Sequence, residues 1–291
     1  MKPALRANLL LLLASLIWGF AFVAQRIGMK YIGPLTFNGL RFSLGGLVLV
    51  PFLFRRIPGL DSSSPNPLKS KRILLALGLT GLLLFCGATL QQFGIQSTTA
   101  GKAGFITGLY VVFVPFAGIF LKHKSDLFVW IGVALSTIGL FLLSIKSGLS
   151  MERGDFLVLL CAIVFTGHVL LIGWLSPQMD SFYLAIIQFA ICGLLSLAGS
   201  LIFEQPACSQ VINGAVPVLY GGIFSVGIAF TLQVIGQKEA RPATAAILLS
   251  MEAVFAAFGG WLILNEFLTF RAIAGCWLML AGMFISQFKN R

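Results

Sequence analysis

Apolar runs of about 20 residues recur along almost the whole chain, and they limit its possible folds more than any other feature. A helix needs about 20 apolar residues to cross the hydrocarbon core of a bilayer. Ten such runs can be placed, and one connection between them, 55–72, is long. The runs are 5–25, 34–54, 73–95, 100–121, 126–145, 154–174, 181–203, 214–236, 242–263 and 270–288. The sequence therefore predicts an all-α integral membrane protein with ten transmembrane helices.

The amino-acid composition excludes a soluble domain. Hydrophobic residues make up 58% of the chain and charged residues only 10%, whereas about a quarter of the residues of soluble domains are charged. The formal net charge of +11 arises mainly from short gaps between apolar runs, where Lys and Arg orient a membrane protein instead of binding nucleic acid. We therefore expect the lipid bilayer, and no nucleic acid, as a partner.

Lys and Arg are unequally divided between the two ends of the predicted helices. With a cytoplasmic N-terminus, 13 of the 20 basic residues fall on the cytoplasmic side and 6 on the other, while Arg41 lies within a span. Because cytoplasmic connections carry the excess of Lys and Arg, both termini are predicted to be cytoplasmic. The first run is interpreted as an uncleaved span, since no convincing signal-peptide cleavage site follows it.

The chain contains an internal repeat. At a constant offset, the stretch that begins at Thr89 returns from Thr231, and small residues occupy matching positions. The matched small residues are Gly101, Gly104 and Gly108, opposite Ala243, Ala246 and Ser250. Each half carries five spans, and this odd number gives the halves opposite orientations in the membrane. We expect two inverted five-helix repeats, 1–146 and 152–289, with a substrate site near the midplane between them, as in many secondary transporters.

Two charged residues, Arg41 and Glu252, lie deep within predicted spans. Such a residue costs at least about 2.5–3.5 kcal/mol on insertion scales and usually faces the protein interior or a cavity. Arg41 lies in the second span, with Asn38 one helical turn before it, and its guanidinium can bind a carboxylate or a phosphate. Glu252 lies near the middle of the ninth span and can bind an ammonium group or carry a coupling proton. Two interpretations stay open, namely substrate binding by both residues or an ion pair between them.

Polar and aromatic residues of other spans are further candidates for substrate binding. Gln91 and Gln233 are partners in the repeat and lie beside small residues, which suits helix packing as well as a cavity wall. We expect one of them to pack and the other to line a cavity. Trp18 and Tyr110 can form an aromatic wall, although aromatic residues in spans also contact lipid.

Lys102 and His168 each allow two interpretations. Lys102 opens the fourth span beside Gly101, where a helix N-terminus attracts anions, yet an interfacial anchor fits equally well. His168 can contact the substrate or a proton, or it can be an internally bonded core residue. No metal, cofactor or catalytic residue is expected, because no pair among the five cysteines has metal-ligand spacing and a Walker-type loop is absent.

Several segments of the chain together resemble the EamA branch of the drug/metabolite transporter superfamily. They are the run Thr98–Pro115, Trp18-Gly19 in the first span, Arg41 in the second and Asn265–Thr269 before the last. The resemblance covers nearly the whole chain, and the fourth-span run is its most specific part. It implies a carrier of the bacterial inner membrane, often an exporter of amino acids or related metabolites, that works by alternating access without ATP. The counterpart of the fourth-span glycines, Ala243–Ala246, departs from the pattern, so an anion-attracting helix end is expected in one half only.

The resulting prediction is a secondary transporter, an exporter of a small polar or zwitterionic metabolite such as an amino acid. A proton or a counter-substrate is the candidate for coupling. Two alternatives stay open. An integral-membrane enzyme would need a cluster of His, Asp or Glu near one membrane face, and a non-transporting scaffold would not need polar residues that converge at mid-depth.

Overall fold

The computed structural model describes residues 3–53, 70–122, 126–144 and 152–287, and within these ranges the chain is helical and contains no strand. The prediction of an all-α protein is confirmed for them. The α-helices, in chain order, are α1 (Pro3–Gly28), α2 (Pro34–Leu53), α3 (Lys71–Ile95), α4 (Ala100–Gly108), α5 (Tyr110–Phe120), α6 (Leu127–Ser144), α7 (Arg153–Leu175), α8 (Ser181–Phe203), α9 (Cys208–Asn213), α10 (Ala215–Leu219), α11 (Thr231–Gly236), α12 (Pro242–Leu249), α13 (Glu252–Leu264) and α14 (Phe270–Ser286). A π-helix over Tyr220–Phe230 joins α10 to α11.

Helices long and apolar enough to cross a membrane account for eight of the predicted spans among the described residues. They are Pro3–Gly28, Pro34–Leu53, Lys71–Ile95, Ala100–Phe120, Arg153–Gln178, Ser181–Phe203, Ala215–Gly236 and Pro242–Leu264. Two shorter apolar helices, Leu127–Leu142 and Phe270–Ser286, occupy the other two positions. Large apolar side chains such as Phe120 and Phe270 are almost fully exposed, as lipid-facing residues are. The chain is a multi-pass membrane protein.

Some of the predicted features fall outside the described residues. Most of the long connection 55–72 does so. The same holds for eight of the basic residues behind the predicted orientation, which are Lys2, Arg55, Arg56, Lys69, Lys124, Lys146, Lys289 and Arg291.

The fourth and ninth predicted spans are each interrupted near the middle. The interruption falls at Leu109 between α4 and α5, and at Ser250 and Met251 between α12 and α13. At each interruption a backbone amide donates to the carbonyl three residues before it, as in a 3₁₀ turn. In the fourth span, Val112 N donates to the Leu109 oxygen at 2.9 Å. As a result Tyr110 and Glu252, which the sequence offset pairs, each begin the second half-helix of a broken span.

Glycines bring helices of the two halves close together. A Cβ added to Gly132 of α6 would lie 2.8 Å from the carbonyl oxygen of Gly282 in α14. A Cβ added to Gly104 of α4 would likewise lie 2.8 Å from the Cβ of Ala256 in α13. Small residues permit such close approach of membrane helices. The glycine face of the fourth span therefore contacts the ninth span, its partner in the repeat.

The helix ends form two faces. Asn8 Nδ2 donates a hydrogen bond of 2.6 Å to Gln287 Oε1, so the start of α1 and the end of α14 lie together, on what we call the terminal face. The other ends of these helices lie on the opposite face. The opposite face contains the connections 28–34, 95–100, 203–215 and 264–270 and the start of α7.

Candidate functional site

A cavity lies between the broken spans and the helices around them. Its volume, measured as the space open to the centre of a water molecule, is about 50 Å³. One water molecule needs about 10–15 Å³ on that measure, so this conformation has room for a few waters. The residues that line the cavity are Trp18, Phe22, Gln25, Arg41, Ala88, Gln91, Thr107, Tyr110, Phe165, His168, Val169, Ser225, Phe230, Gln233, Leu249 and Glu252.

Arg41 brings a buried positive charge to this cavity. Its Nε donates to Asn38 Oδ1 at 3.0 Å, and its guanidinium carbon lies over the rings of Phe37 and Phe42, 5.4 and 4.9 Å from their centroids. Gly221 of the π-helix makes room for the side chain, since a Cβ there would lie 3.3 Å from Arg41 Cδ. Among the described residues no carboxylate lies within 4.0 Å of the guanidinium. The two terminal nitrogens form no hydrogen bond with another described residue, so their N–H donors are available.

Glu252 brings a carboxyl group to the same cavity. Its Oε1 accepts a hydrogen bond of 3.0 Å from the hydroxyl of Tyr110, and Oε2 receives none from the described part of the chain. The ion pair between Arg41 and Glu252, one of the two open interpretations, is not formed in the structure. Two ionisable side chains thus line one cavity in the membrane interior without neutralising each other, in a place where uncompensated charge is costly.

Three amide and imidazole side chains add polar surface to the cavity wall. Gln91 and Gln233 both line it, although one of them was expected to serve packing, and Gln91 Nε2 also donates to Thr107 Oγ1 at 3.2 Å. His168 Nε2 lies 2.8 Å from Gln188 Oε1. The imidazole of His168 is therefore hydrogen-bonded to α8 and also lines the cavity.

The remaining wall is largely aromatic, and α1 supplies much of it. Trp18, Phe22 and Gln25 follow the helical spacing of three and four residues and therefore lie on one face of α1. The indole nitrogen of Trp18 donates to the Ser225 carbonyl at 3.1 Å, and its ring packs edge-on against Phe230 with centroids 4.6 Å apart. Sequence reasoning missed Gln25 and Ser225. The spacing of Gln25 from Trp18 would have been enough to find the former.

Two predicted site residues do not line the cavity. Asn38 lies beside it and bonds to Arg41, whereas Lys102 lies on the opposite face, with Nζ 2.5 Å from Asp155 Oδ2. The helix N-terminus next to Lys102 already has an anion, because the amides of Ala100 and its neighbour donate to the carboxylate of Glu266 at 3.1 and 3.3 Å. The anion that this helix end attracts is thus part of the protein.

Comparisons with known proteins point to transport. The model of the EamA-like transporter family matches residues 5–145 and 152–288. An uncharacterized transporter of Archaeoglobus fulgidus is 31% identical over 292 residues, which cover 98% of this chain and 87% of the relative. The uncharacterized transporter YoaV of Bacillus subtilis is 26% identical over 282 residues, 94% of each chain. A protein crystal structure with 18% identity has a TM-score of 0.78 and covers 97% of this chain and 98% of its own, which shows a shared fold. These names indicate a transporter and not an enzyme.

Proposed function

Because the chain belongs to the EamA-like transporter family, we propose that it is a secondary transporter that exports a small polar or zwitterionic metabolite, such as an amino acid, by alternating access. The observation that carries the proposal is the central cavity, which is lined by both a guanidinium and a carboxyl group that form no ion pair with each other. A ligand with one negative and one positive group would satisfy both at once.

Each charged side chain has a role in this proposal. The planar fork of Arg41 orients the carboxylate or phosphate of the ligand. Glu252 accepts the ammonium group or carries a coupling proton, and Tyr110 holds one of its oxygens in place. Gln91, Gln233 and His168 offer further hydrogen bonds, and Trp18 bounds the pocket with an apolar ring. Asn38 acts through Arg41, as a positioning residue.

The small volume of the cavity supports a moving site. Room for a few waters is less than an amino acid needs, so binding requires the surrounding helices to separate. The interrupted spans α4–α5 and α12–α13 are suited to this movement, because broken helices that meet near the midplane occur at the substrate sites of many secondary transporters. Alternating access would move one broken span against the other.

The same proposal includes the architecture and the orientation. We infer ten spans in two inverted repeats, 1–146 and 152–289, and the matching interruptions of the fourth and ninth spans support this assignment. The excess of Lys and Arg favours a cytoplasmic terminal face, in an inner membrane of bacterial type. The opposite face would then meet the external medium.

Proteoliposomes test the proposal directly. Purified protein is reconstituted, the vesicles are loaded with the twenty common amino acids, and the loss of each is followed by mass spectrometry against protein-free vesicles. We expect release of at least one of them, and little release with Arg41→Ala. If no amino acid is released, the metabolites of cells that overproduce the protein are compared with those of cells that lack it. The absence of any difference there would favour a scaffold over a transporter.

A further inference from the structure

Glu204, at the end of α8, binds the first turn of α2. Its Oε1 accepts from the Leu35 amide at 2.8 Å, and Oε2 accepts from the Thr36 amide at 2.7 Å and the Thr36 hydroxyl at 2.6 Å. The next residue, Gln205, has a left-handed φ of 45°, which ends the helix and turns the chain. A carboxylate of the second half therefore caps a helix of the first half.

Glu266 makes the same kind of contact with α4. Asn265 ends α13 with a left-handed φ of 55°, a conformation that Asn tolerates. Gly260 leaves room for the returning carboxylate, because a Cβ there would lie 2.6 Å from Glu266 Oε2. Both oxygens of Glu266 accept from amides at the start of α4. A second carboxylate thus joins the two halves on the opposite face.

Asp155, in the first turn of α7, makes the third contact. It is 1% exposed, and it accepts from Thr98 Oγ1 at 2.9 Å and from Lys102 Nζ at 2.5 Å. Both donors belong to the first half of the chain. We call Asp155, Glu204, Glu266 and the seven donors of the first half that they bind the carboxylate latch.

The terminal face has no counterpart of this arrangement among the described residues. Asp126 accepts from the Val129 amide of its own helix α6. Asp180 accepts from the amides of Phe182 and Tyr183 in its own helix α8. The carboxylates of the two faces therefore differ: those of the latch connect the halves, whereas these two stay within one half.

We propose that the carboxylate latch is the closed outer gate of the transporter, which separates the cavity from the external medium and opens when the three carboxylates release the helix ends. This inference rests on the proposed function and orientation. For the cavity to open towards that face, α2 has to separate from α8, and α4 from α13. Each of these two helix interfaces ends at a latch carboxylate, Glu204 and Glu266 respectively. Bonds between a carboxylate and backbone amides at a helix N-terminus are charge-assisted, so they favour the closed state strongly.

A reversible cross-link tests whether the latch must open. Thr36 Oγ1 and Ser200 Oγ lie 2.7 Å apart, on α2 and α8, so a Thr36→Cys/Ser200→Cys pair can form a disulfide across the gate. Uptake or release by proteoliposomes is measured after oxidation and after reduction, and the bond is verified by mass spectrometry. We expect transport to stop on oxidation and to return on reduction. The matched controls are the wild type and the Ser200→Cys single variant under the same oxidant, which should stay active, and the reduced double variant sets the rate with which the oxidised one is compared.

A second experiment needs no substrate. A Ser225→Cys reporter places a thiol in the cavity, and its labelling by a membrane-impermeant maleimide is quantified at the peptide level from each side of the membrane. Glu204→Gln and Glu266→Gln together should raise labelling from the opposite face about tenfold, the change expected from losing a helix-cap or charged hydrogen bond. Asp180→Asn removes the charge of a helix cap that stays within one half and should leave the labelling rate unchanged. Each single Gln variant should give a smaller increase.

The outcomes distinguish the gate from the transport function. If the protein still transports substrate when the cross-link is verified, the gate proposal is overturned and the proposed function stays intact. Equal labelling in the wild type and the Gln variants, or an increase from the terminal face alone, would also overturn it. If the wild type moves no substrate, the proposed function fails, and the labelling experiment still decides whether the latch controls access to the cavity.

Discussion

The central cavity and the carboxylate latch both contain ionisable groups that are buried or partly buried, but these groups find their hydrogen-bond partners differently. In the latch, both oxygens of Glu204 and both of Glu266 accept hydrogen bonds from the first half of the chain. In the cavity, Arg41 and Glu252 each form one side-chain hydrogen bond with another described residue, and both line the cavity. Under the proposed function, the latch carboxylates stabilise one conformation, whereas the ionisable groups of the cavity bind the ligand.

Replacement of Arg41 should have the largest effect. Arg41→Ala removes the charged donors for the ligand, and because hydrogen bonds to charged groups contribute about 1.5–3 kcal/mol, we expect transport to fall roughly ten- to hundredfold. Arg41→Lys keeps the charge but loses the planar fork, so its loss should be smaller. Initial transport rates in proteoliposomes measure both. Wild-type rates for the Ala variant would break the comparison, because the cavity charge would then be structural.

Glu252→Gln should have the next largest effect. The amide keeps the shape of the side chain and can still accept from Tyr110, but it cannot pair with an ammonium group or release a proton. We expect a loss of about tenfold, the cost of one charge-assisted interaction. The transport rate of the variant is compared with that of Glu239→Gln, which changes an acidic residue on the terminal face. Equal loss in both variants would show that net charge, and not the cavity, is responsible.

Tyr110→Phe should have a smaller effect. It removes the hydroxyl that bonds to Glu252 and keeps the ring in the cavity wall. A neutral donor contributes about 0.5–1.5 kcal/mol, so transport should fall roughly two- to tenfold. Combining it with Glu252→Gln should give less than the product of the two losses, since both act on one contact. Fully multiplicative losses would contradict the idea that Tyr110 acts through Glu252.

Lys102→Gln should have the smallest effect on ligand binding. Its ammonium is bound to Asp155 on the opposite face and does not line the cavity. We expect the Kd of a transported amino acid to stay within about fivefold of the wild type, because partly exposed ion pairs contribute about 1 kcal/mol or less. Isothermal titration of the purified variant measures the affinity. A tenfold loss would move Lys102 from the latch to the ligand site and remove the distinction between the two regions.

Much of the organisation of this protein was readable from the residue pattern. The spacing of apolar runs located the helices, because a bilayer demands about 20 apolar residues for each crossing. The cost of polar groups in such helices singled out Arg41, Glu252, Gln91, Gln233 and His168, and all five line the cavity. Local physics is sufficient for these predictions, since each depends on one helix and its solvent.

Partnerships between helices were decided only by the tertiary structure. Asp155 and Lys102 are 53 positions apart in the sequence, and Glu204 and Leu35 are 169 apart. Helical spacing assigns a side chain to a face of its own helix but does not say which helix lies opposite that face. For this reason the sequence left the Arg41–Glu252 ion pair open and offered Lys102 as a ligand contact. Packing in three dimensions kept the first two apart and gave Lys102 a carboxylate from the other half of the chain.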